Sequence, residues 1–332
     1  MTAAVAIVGG TALRTYRTRT SRSPSSQPER NALLLSGGGK LGYFHLGVVE
    51  VMLENNMLPK VLSGSSAGAV TAALIGTRTE RELRRNHAHE NGLVSMSSEI
   101  EAGPVSAERA RDLVEELMPD VTFAEALEIS GRAINISVAA REGGGGLVCS
   151  AMTTPHVLVR DAVRASCAVP HFFEPVTMHE RRGSRVVPFA HGKKWVDGSL
   201  FADIPSSVVK QRYGVTHTIV SMVNPMARPF MADKPGLAGA SLAAIARRSA
   251  LGWLGWSRAW ARGLPPMHQA LDTAYRLVSQ DYSGDLVLTP SKRFVALNDL
   301  LDIPTLKDIR ALQADGAART RARLNDLKAL AA

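Results

Sequence analysis

A chain of 332 residues, 45% hydrophobic and 21% charged, has the length of one large α/β domain or two modest ones and enough apolar side chains for a core, which excludes an intrinsically disordered chain. Two cysteines, Cys149 and Cys167, supply neither a disulfide framework nor a Cys-x-x-Cys or zinc-knuckle spacing, so a reducing interior is the expected setting. Lys and Arg number 39 against 30 Asp and Glu, a formal net charge of +9 whose placement decides between nucleic acid, an anionic membrane surface and a basic tail.

Residues 1–30 carry Arg14, Arg17, Arg19, Arg22 and Arg30 against one acid, Glu29, amid Ser, Thr, Pro and Gln; they read as a flexible basic tail. The apolar stretch 3–13 has no positive region before it, contains a Gly pair and is shorter than a bilayer span, which argues against a secretory signal. The same Arg- and Ser-rich, acid-poor composition also fits an organelle transit peptide. No later window reaches the roughly 18 uninterrupted apolar residues of a span, so a soluble cytoplasmic or peripheral protein is expected.

Ala32-Leu33-Leu34-Leu35 is a continuous apolar run of the kind a buried parallel strand requires. It leads into Gly37-Gly38-Gly39-Lys40-Leu41-Gly42, after which Leu41, Phe44, Val48, Val49, Met52 and Leu53 follow helical spacing until Asn55-Asn56 and Pro59. The glycines therefore lie at a helix N-terminus, where unpaired N–H groups favour negative charge. Gly37-x-Gly39-x-x-Gly42 also matches a dinucleotide fingerprint, but that fingerprint needs an acid at the end of the next strand. The next strand, Lys60-Val61-Leu62-Ser63, ends instead in Gly64-Ser65-Ser66-Ala67-Gly68.

Gly64-x-Ser66-x-Gly68 is the nucleophile-elbow pattern, with Ser66 on a tight turn between strand and helix. Gly64 and Gly68 let neighbouring backbones pass closely, Ala67 leaves room beside the hydroxyl, and residues 69–75 form the following helix. A serine nucleophile needs a base. Asp197, in Trp195-Val196-Asp197-Gly198-Ser199, ends a plausible strand and is followed by Gly198. Of the downstream histidines, His217 falls in an apparent buried strand and His268 in a loop after Pro265-Pro266, neither in a recognisable catalytic context.

These three ordered motifs, the glycine loop 37–42, the elbow 64–68 and Asp197-Gly198-Ser199, resemble the patatin-like phospholipase family of lipid acyl hydrolases. Wider matches are similar to its triacylglycerol-lipase branch, found on oil bodies and in bacterial relatives: Tyr43-Phe44-His45-Leu46-Gly47-Val48, Ala165-Ser166-Cys167-Ala168-Val169-Pro170, Phe173-Glu174-Pro175-Val176 and Ile219-Val220-Ser221-Met222-Val223-Asn224-Pro225. The resemblance covers residues 31–225 and, more weakly, the C-terminal helices. It implies an α/β three-layer sandwich with a mainly parallel central sheet and C-terminal helices. It also implies a Ser66–Asp197 dyad without histidine, and an oxyanion hole from the N–H groups of Gly37, Gly38, Gly39 and Lys40. Two departures stand out: Leu41 replaces the Lys or Arg that many members carry two places beyond the third Gly, and Ser199 replaces the commoner Ala or Gly, as is usual in the lipase-like branch. The expected organisation is a tail 1–30, a catalytic domain 31–225 and a helical extension 226–332 on or over it, with no cofactor and a lipid as substrate.

Cys167 reads as a small buried residue. His87-x-His89 sits in a polar run without a complete ligand set, so no metal is expected. Gly143 to Gly146 connects the strand 133–139 to the next segment, with no Lys-Ser or Lys-Thr after it to make a phosphate cradle. Segment 234–271 contains no Asp or Glu, carries Lys234, Arg247, Arg248, Arg258 and Arg262, and sets Trp253, Trp256 and Trp260 on one helix face. That composition suits a helix on an anionic membrane or lipid-droplet surface, while a core helix or a lid over the acyl pocket gives the same spacing. The tail contributes +4 and this segment +5, leaving a formally neutral body of 264 residues; no nucleic-acid-binding motif accompanies the charge. The leading reading is a lipid ester hydrolase. An acyltransferase to a lysolipid or glycerol acceptor and a non-catalytic lipid-binding relic are the alternatives.

Overall fold

The computed structural model describes residues 30–87, 107–142, 145–170, 172–225, 227, 237–291, 300, 302 and 304–331; the basic tail, apart from Arg30, and His89 lie outside them. Ten strands occur: β1 Asn31–Leu35, β2 Val61–Gly64, β3 Ala133–Ala140, β4 Gly146–Ser150, β5 Val176–Thr177, β6 His179–Arg182, β7 Arg185–Pro188, β8 Lys194–Asp197, β9 His217–Ser221 and β10 Leu286–Leu288. The α-helices are α1 Tyr43–Glu54, α2 Ala67–Gly76, α3 Glu80–His87, α4 Ala107–Leu117, α5 Phe123–Ser130, α6 Val159–Ser166, α7 Ser199–Ala202, α8 Ser206–Tyr213, α9 Leu237–Trp260, α10 Pro265–Ser279, α11 Leu306–Ala322 and α12 Leu324–Ala331.

The fold is mixed α/β around an eight-stranded sheet of order β10-β9-β1-β2-β3-β8-β5, with β4 beside β3 and β6–β7 as a separate hairpin. β10, β9, β1, β2 and β3 run parallel, whereas β8 and β4 run antiparallel to β3 and β5 antiparallel to β8. Ala32, Leu33, Leu34 and Leu35 are all fully buried. Because successive side chains point to opposite faces, both faces of the sheet centre are covered, as the continuous apolar run requires.

The chain divides into two units, the described residues of Met1–Val223 with Ser283–Ala332, and Asn224–Tyr282. The extension expected at 226–332 is thus not one body. Its last part returns to the first unit, where β10 extends the sheet beside β9 and α11 lies along α1. A three-residue strand is too short to show a period, which is why it escapes sequence reading. The α1–α11 contact is backbone on backbone: a Cβ on Gly47 would stand 1.9 Å from the Gln313 carbonyl oxygen, and one on Gly316 would stand 2.1 Å from that of Phe44. Gly47→Val is therefore expected to cost about 3 kcal/mol or more, read as a lower urea midpoint. Gly252→Ala, where an added Cβ meets open space, is not expected to lower it.

Candidate active site

Parallel strands gather their C-terminal ends, and the loops that follow them, at one end of the sheet. From β1 the chain passes through Ser36 and the glycines into a 3-10 turn, Gly39–Gly42, and then α1. From β2 it passes through Ser65 and Ser66 directly into α2. Ser66 holds φ 48° and ψ −122°, a region strained for a side chain with a Cβ, so the surrounding contacts must impose it. The flanking glycines permit the turn. A Cβ on Gly64 would stand 2.2 Å from the Gly68 carbonyl oxygen, and one on Gly68 would stand 2.1 Å from that of Leu35. A Cβ on Gly198 would stand 2.1 Å from the Ser137 carbonyl oxygen, and one on Gly42 would stand 2.6 Å from the Ala67 Cβ.

Strand register brings Asp197 to Ser66. Asn135 and Ile136 of β3 pair with both β2 and β4, while Val138 and Ala139 pair with both β4 and β8. β2 and β8 must therefore share the edge of β3 that β4 leaves open, and they meet there end to end. Gly64 stands opposite Ile136 and Asp197 opposite Val138, two residues or about 7 Å apart along β3. The Ser66 hydroxyl lies beside the Asp197 carboxylate and favours its ionised form. The Ser199 N–H donates to Asp197 Oδ1 at 2.8 Å, and the Ser199 hydroxyl also bonds the carboxylate. Burial pushes the Asp197 carboxyl up to about 6, the hydrogen bonds from Ser199 and the Ser66 hydroxyl pull the other way, and the charge of Asp203 adds to the rise.

Two residues outside the expected set hold this geometry. Ser166, in the Ala-Ser-Cys block, accepts a hydrogen bond from the Ser66 N–H at 2.9 Å and donates to the Ser137 carbonyl oxygen at 2.8 Å. Asp203, fully buried, accepts from the Gly37 N–H at 2.7 Å and from the Ser65 hydroxyl, joining the glycine loop to the nucleophile turn. Its only sequence signal is an acid embedded in the apolar run Leu200-Phe201-Ala202-Asp203-Ile204, and no spacing connects it to residues 37 or 65.

Gly37 was expected among the oxyanion donors, but its N–H is taken by Asp203 and the residue is buried. It serves instead as the narrow floor of the site, where a Cβ would lie 3.2 Å from those of Ser66 and Ser199. Gly38, Gly39 and Lys40 are half-buried, and no hydrogen bond among the described residues engages the N–H of Gly38 or Gly39. The Asp308 carboxyl on α11 is held low first by hydrogen bonds from Thr305, and the Lys40 ammonium adds a smaller pull in the same direction.

The histidines do other work. His45 is buried, its Nε2 meeting the Ser36 carbonyl oxygen at 3.0 Å and its Nδ1 the Ser221 hydroxyl at 2.7 Å. A carbonyl only accepts, so Nε2 carries the proton and Nδ1 accepts from Ser221; burial lowers its pKa to about 4, and the neutral ring ties β9 to the start of the glycine loop. His217 pairs with Asn31 at the opposite end of β1 from the glycines. His268, expected in a loop, lies in α10 with Nδ1 on the Arg258 carbonyl oxygen at 2.9 Å. Pro265 and Pro266 start that helix, where proline's missing N–H costs nothing. Among the described residues no three His, Cys, Asp or Glu side chains converge to hold a metal.

Residues 33–209, just over half of the chain, match the family model for patatin-like phospholipase. Similar curated proteins include a patatin-like phospholipase domain-containing protein of Aspergillus terreus, 35% identical over 240 residues that cover 68% of this chain and 33% of the relative. Another, from Yarrowia lipolytica, is 36% identical over 241 residues, covering 68% of this chain and 29% of the relative. The chain spans about a third of the length of these relatives. Among solved structures, VipD from Legionella pneumophila aligns with a TM-score of 0.46 and 14% identity over 90% of this chain and 67% of that one.

Proposed function

Because the chain belongs to the patatin-like phospholipase family, its residues 33–209 matching the family model, we propose that it is a serine hydrolase of lipid carboxylic esters, working through a Ser66–Asp197 dyad. The observation that carries the reading is the strained Ser66 turn, with its hydroxyl beside a buried carboxyl group raised to about 6. Ser66 Oγ attacks the ester carbonyl carbon as its proton passes to Asp197. The oxygen of the tetrahedral intermediate accepts hydrogen bonds from the N–H groups of Gly38, Gly39 and Lys40, with the N-terminus of α2 behind Ser66 adding a favourable field. Asp197 returns the proton to the departing alcohol, leaving acyl-Ser66. It then takes a proton from water, whose oxygen attacks the acyl carbon; as the bond to Ser66 Oγ breaks, Asp197 gives that proton to Oγ, which restores Ser66 and releases the fatty acid.

The substrate is a phospholipid or triacylglycerol met at a lipid surface by a peripheral protein. Product analysis on a mixed lipid extract, with and without lysophospholipid and glycerol acceptors, tests the activity. Free fatty acid equal to the ester cleaved supports hydrolysis, and an acylated acceptor marks transfer instead. Equal cleavage by Ser66→Ala, or none by the wild type, rejects both.

Asp203 has its own expected result. Asp203→Asn removes a negative charge beside Asp197, so the acid limb of kcat/KM moves to lower pH than in the wild type. Asp203→Ala frees the glycine loop from the elbow and is expected to lower kcat/KM by about 10- to 100-fold at all pH values, since small misplacements of reacting groups cost that much. A wild-type pH profile in Asp203→Asn would show that its charge plays no part.

A further inference from the structure

Within the unit Asn224–Tyr282, α9 is followed by a short 3-10 turn, Ala261–Gly263, and α10. Leu254 and Ser257 of α9, and Ala261 just after it, are buried. Trp253, Trp256 and Trp260 each stand one residue earlier, about 100° round the helix, and are 64%, 68% and 68% exposed. The tryptophans are therefore not the core face of this unit. Leu264 and Met267 follow them, also exposed, so half of the large hydrophobic side chains exposed among the described residues fall within 253–267. Such clustering marks a contact surface, whereas single exposed apolar residues are ordinary.

The cations of this unit divide by use. Arg247 donates to the carbonyl oxygens of Val278, Ser279 and Gln280 at the end of α10. Arg258 pairs with Asp272 at 2.8 Å and lies over the Tyr275 ring. Arg248 and Arg262 are exposed, and neither has an ion pair among the described residues. No Asp or Glu occurs from 234 to 271. No helix among the described residues is long and apolar enough to cross a bilayer, so this apolar stripe suits lying on a membrane, not spanning it. Indole rings place an apolar body among acyl chains and an N–H at the headgroups, and flanking arginines meet anionic phosphates.

We propose that Trp253, Trp256 and Trp260, flanked by Arg248 and Arg262, form a docking face for the surface of an anionic phospholipid bilayer. The proposal extends the lipid-hydrolase reading by giving it the place where substrate is met, and it rests on that reading only for its purpose.

The full chain is mixed with phosphatidylcholine vesicles containing or lacking phosphatidylglycerol, and followed by flotation and by quenching of tryptophan emission with brominated acyl chains. The buried Trp195 supplies a constant background. Wild type is expected to float with anionic vesicles and to be quenched. The triple variant Trp253→Ala, Trp256→Ala, Trp260→Ala is expected to bind at least tenfold more weakly, and Arg248→Gln and Arg262→Gln about fivefold more weakly each. Hydrolysis of a water-soluble short-chain ester is expected to stay unchanged in all of them. Wild-type vesicle binding by the triple variant overturns the proposal, as does emission that brominated lipid leaves untouched. So does a concentration-dependent dimer abolished by the triple variant, or loss of soluble-ester turnover without loss of flotation, which would assign the face to a second copy or to the chain's own site. Wild type that floats through these tryptophans yet cleaves no ester leaves docking intact and removes the hydrolase reading alone.

Discussion

Asp197→Asn is expected to lower kcat/KM on an ester substrate by about a thousandfold while making the protein more stable at neutral pH. The amide keeps the shape and can still accept from the Ser199 N–H, but it cannot take the Ser66 proton. Stability moves the other way because the carboxyl is raised from 3.8 to about 6 by burial. Between those values the native state holds a proton that the unfolded chain has released, so this group's contribution is present below about pH 4 and is lost as pH rises through 6. The shift corresponds to roughly 3 kcal/mol above pH 6, which the Asn variant no longer forfeits. Thermal melts at pH 4 and pH 8 should show the variant's advantage only at the higher pH. In wild type the same titration sets the acid limb of kcat/KM: activity rises with pH through about 6 as the carboxylate becomes able to accept a proton. Full esterase activity in Asp197→Asn would remove Asp197 as the base.

Ser66→Ala is expected to abolish turnover, a loss of about ten-thousandfold or more, together with all covalent labelling by a fluorophosphonate. The backbone adds a second expectation. A residue with a Cβ at φ 48° is strained, and glycine is not, so Ser66→Gly should be equally inactive yet melt higher than Ser66→Ala, a difference of about 1 kcal/mol. Labelling that persists in Ser66→Ala would place the nucleophile elsewhere. A lower melt for Ser66→Gly would mean the turn stores no strain.

The elements nearest the site were legible because each carries a local signal. The apolar run 32–35, the glycine loop, Gly64-x-Ser66-x-Gly68 and the strand ending at Asp197 all appear within a residue or two of where periodicity and turn chemistry put them. Those signals are short-range: they report which backbone a segment prefers and which side chains suit it. Asp203 showed only as an acid in an apolar run and Ser166 only as part of a wider match, with no sign of either role, since a buried acid or hydroxyl is recognised by its partners, and those partners stand 166 and 100 positions away in Gly37 and Ser66. For the same reason Gly37 looked like an oxyanion donor in sequence, whereas in the fold its N–H donates to Asp203.

What the amino-acid sequence determined by itself is the family, the parallel α/β character and the residue types at the turns, because strand runs, glycine turns and helix starts are written in neighbouring residues. Only the tertiary structure decided that β2 and β8 end against each other on one edge of β3, that β10 extends the sheet beside β9 while α11 lies along α1, and that the tryptophans turn away from the buried face of their helix. Each of these depends on register and on which faces bury each other, and free energy of that kind comes from contacts between segments far apart in the chain.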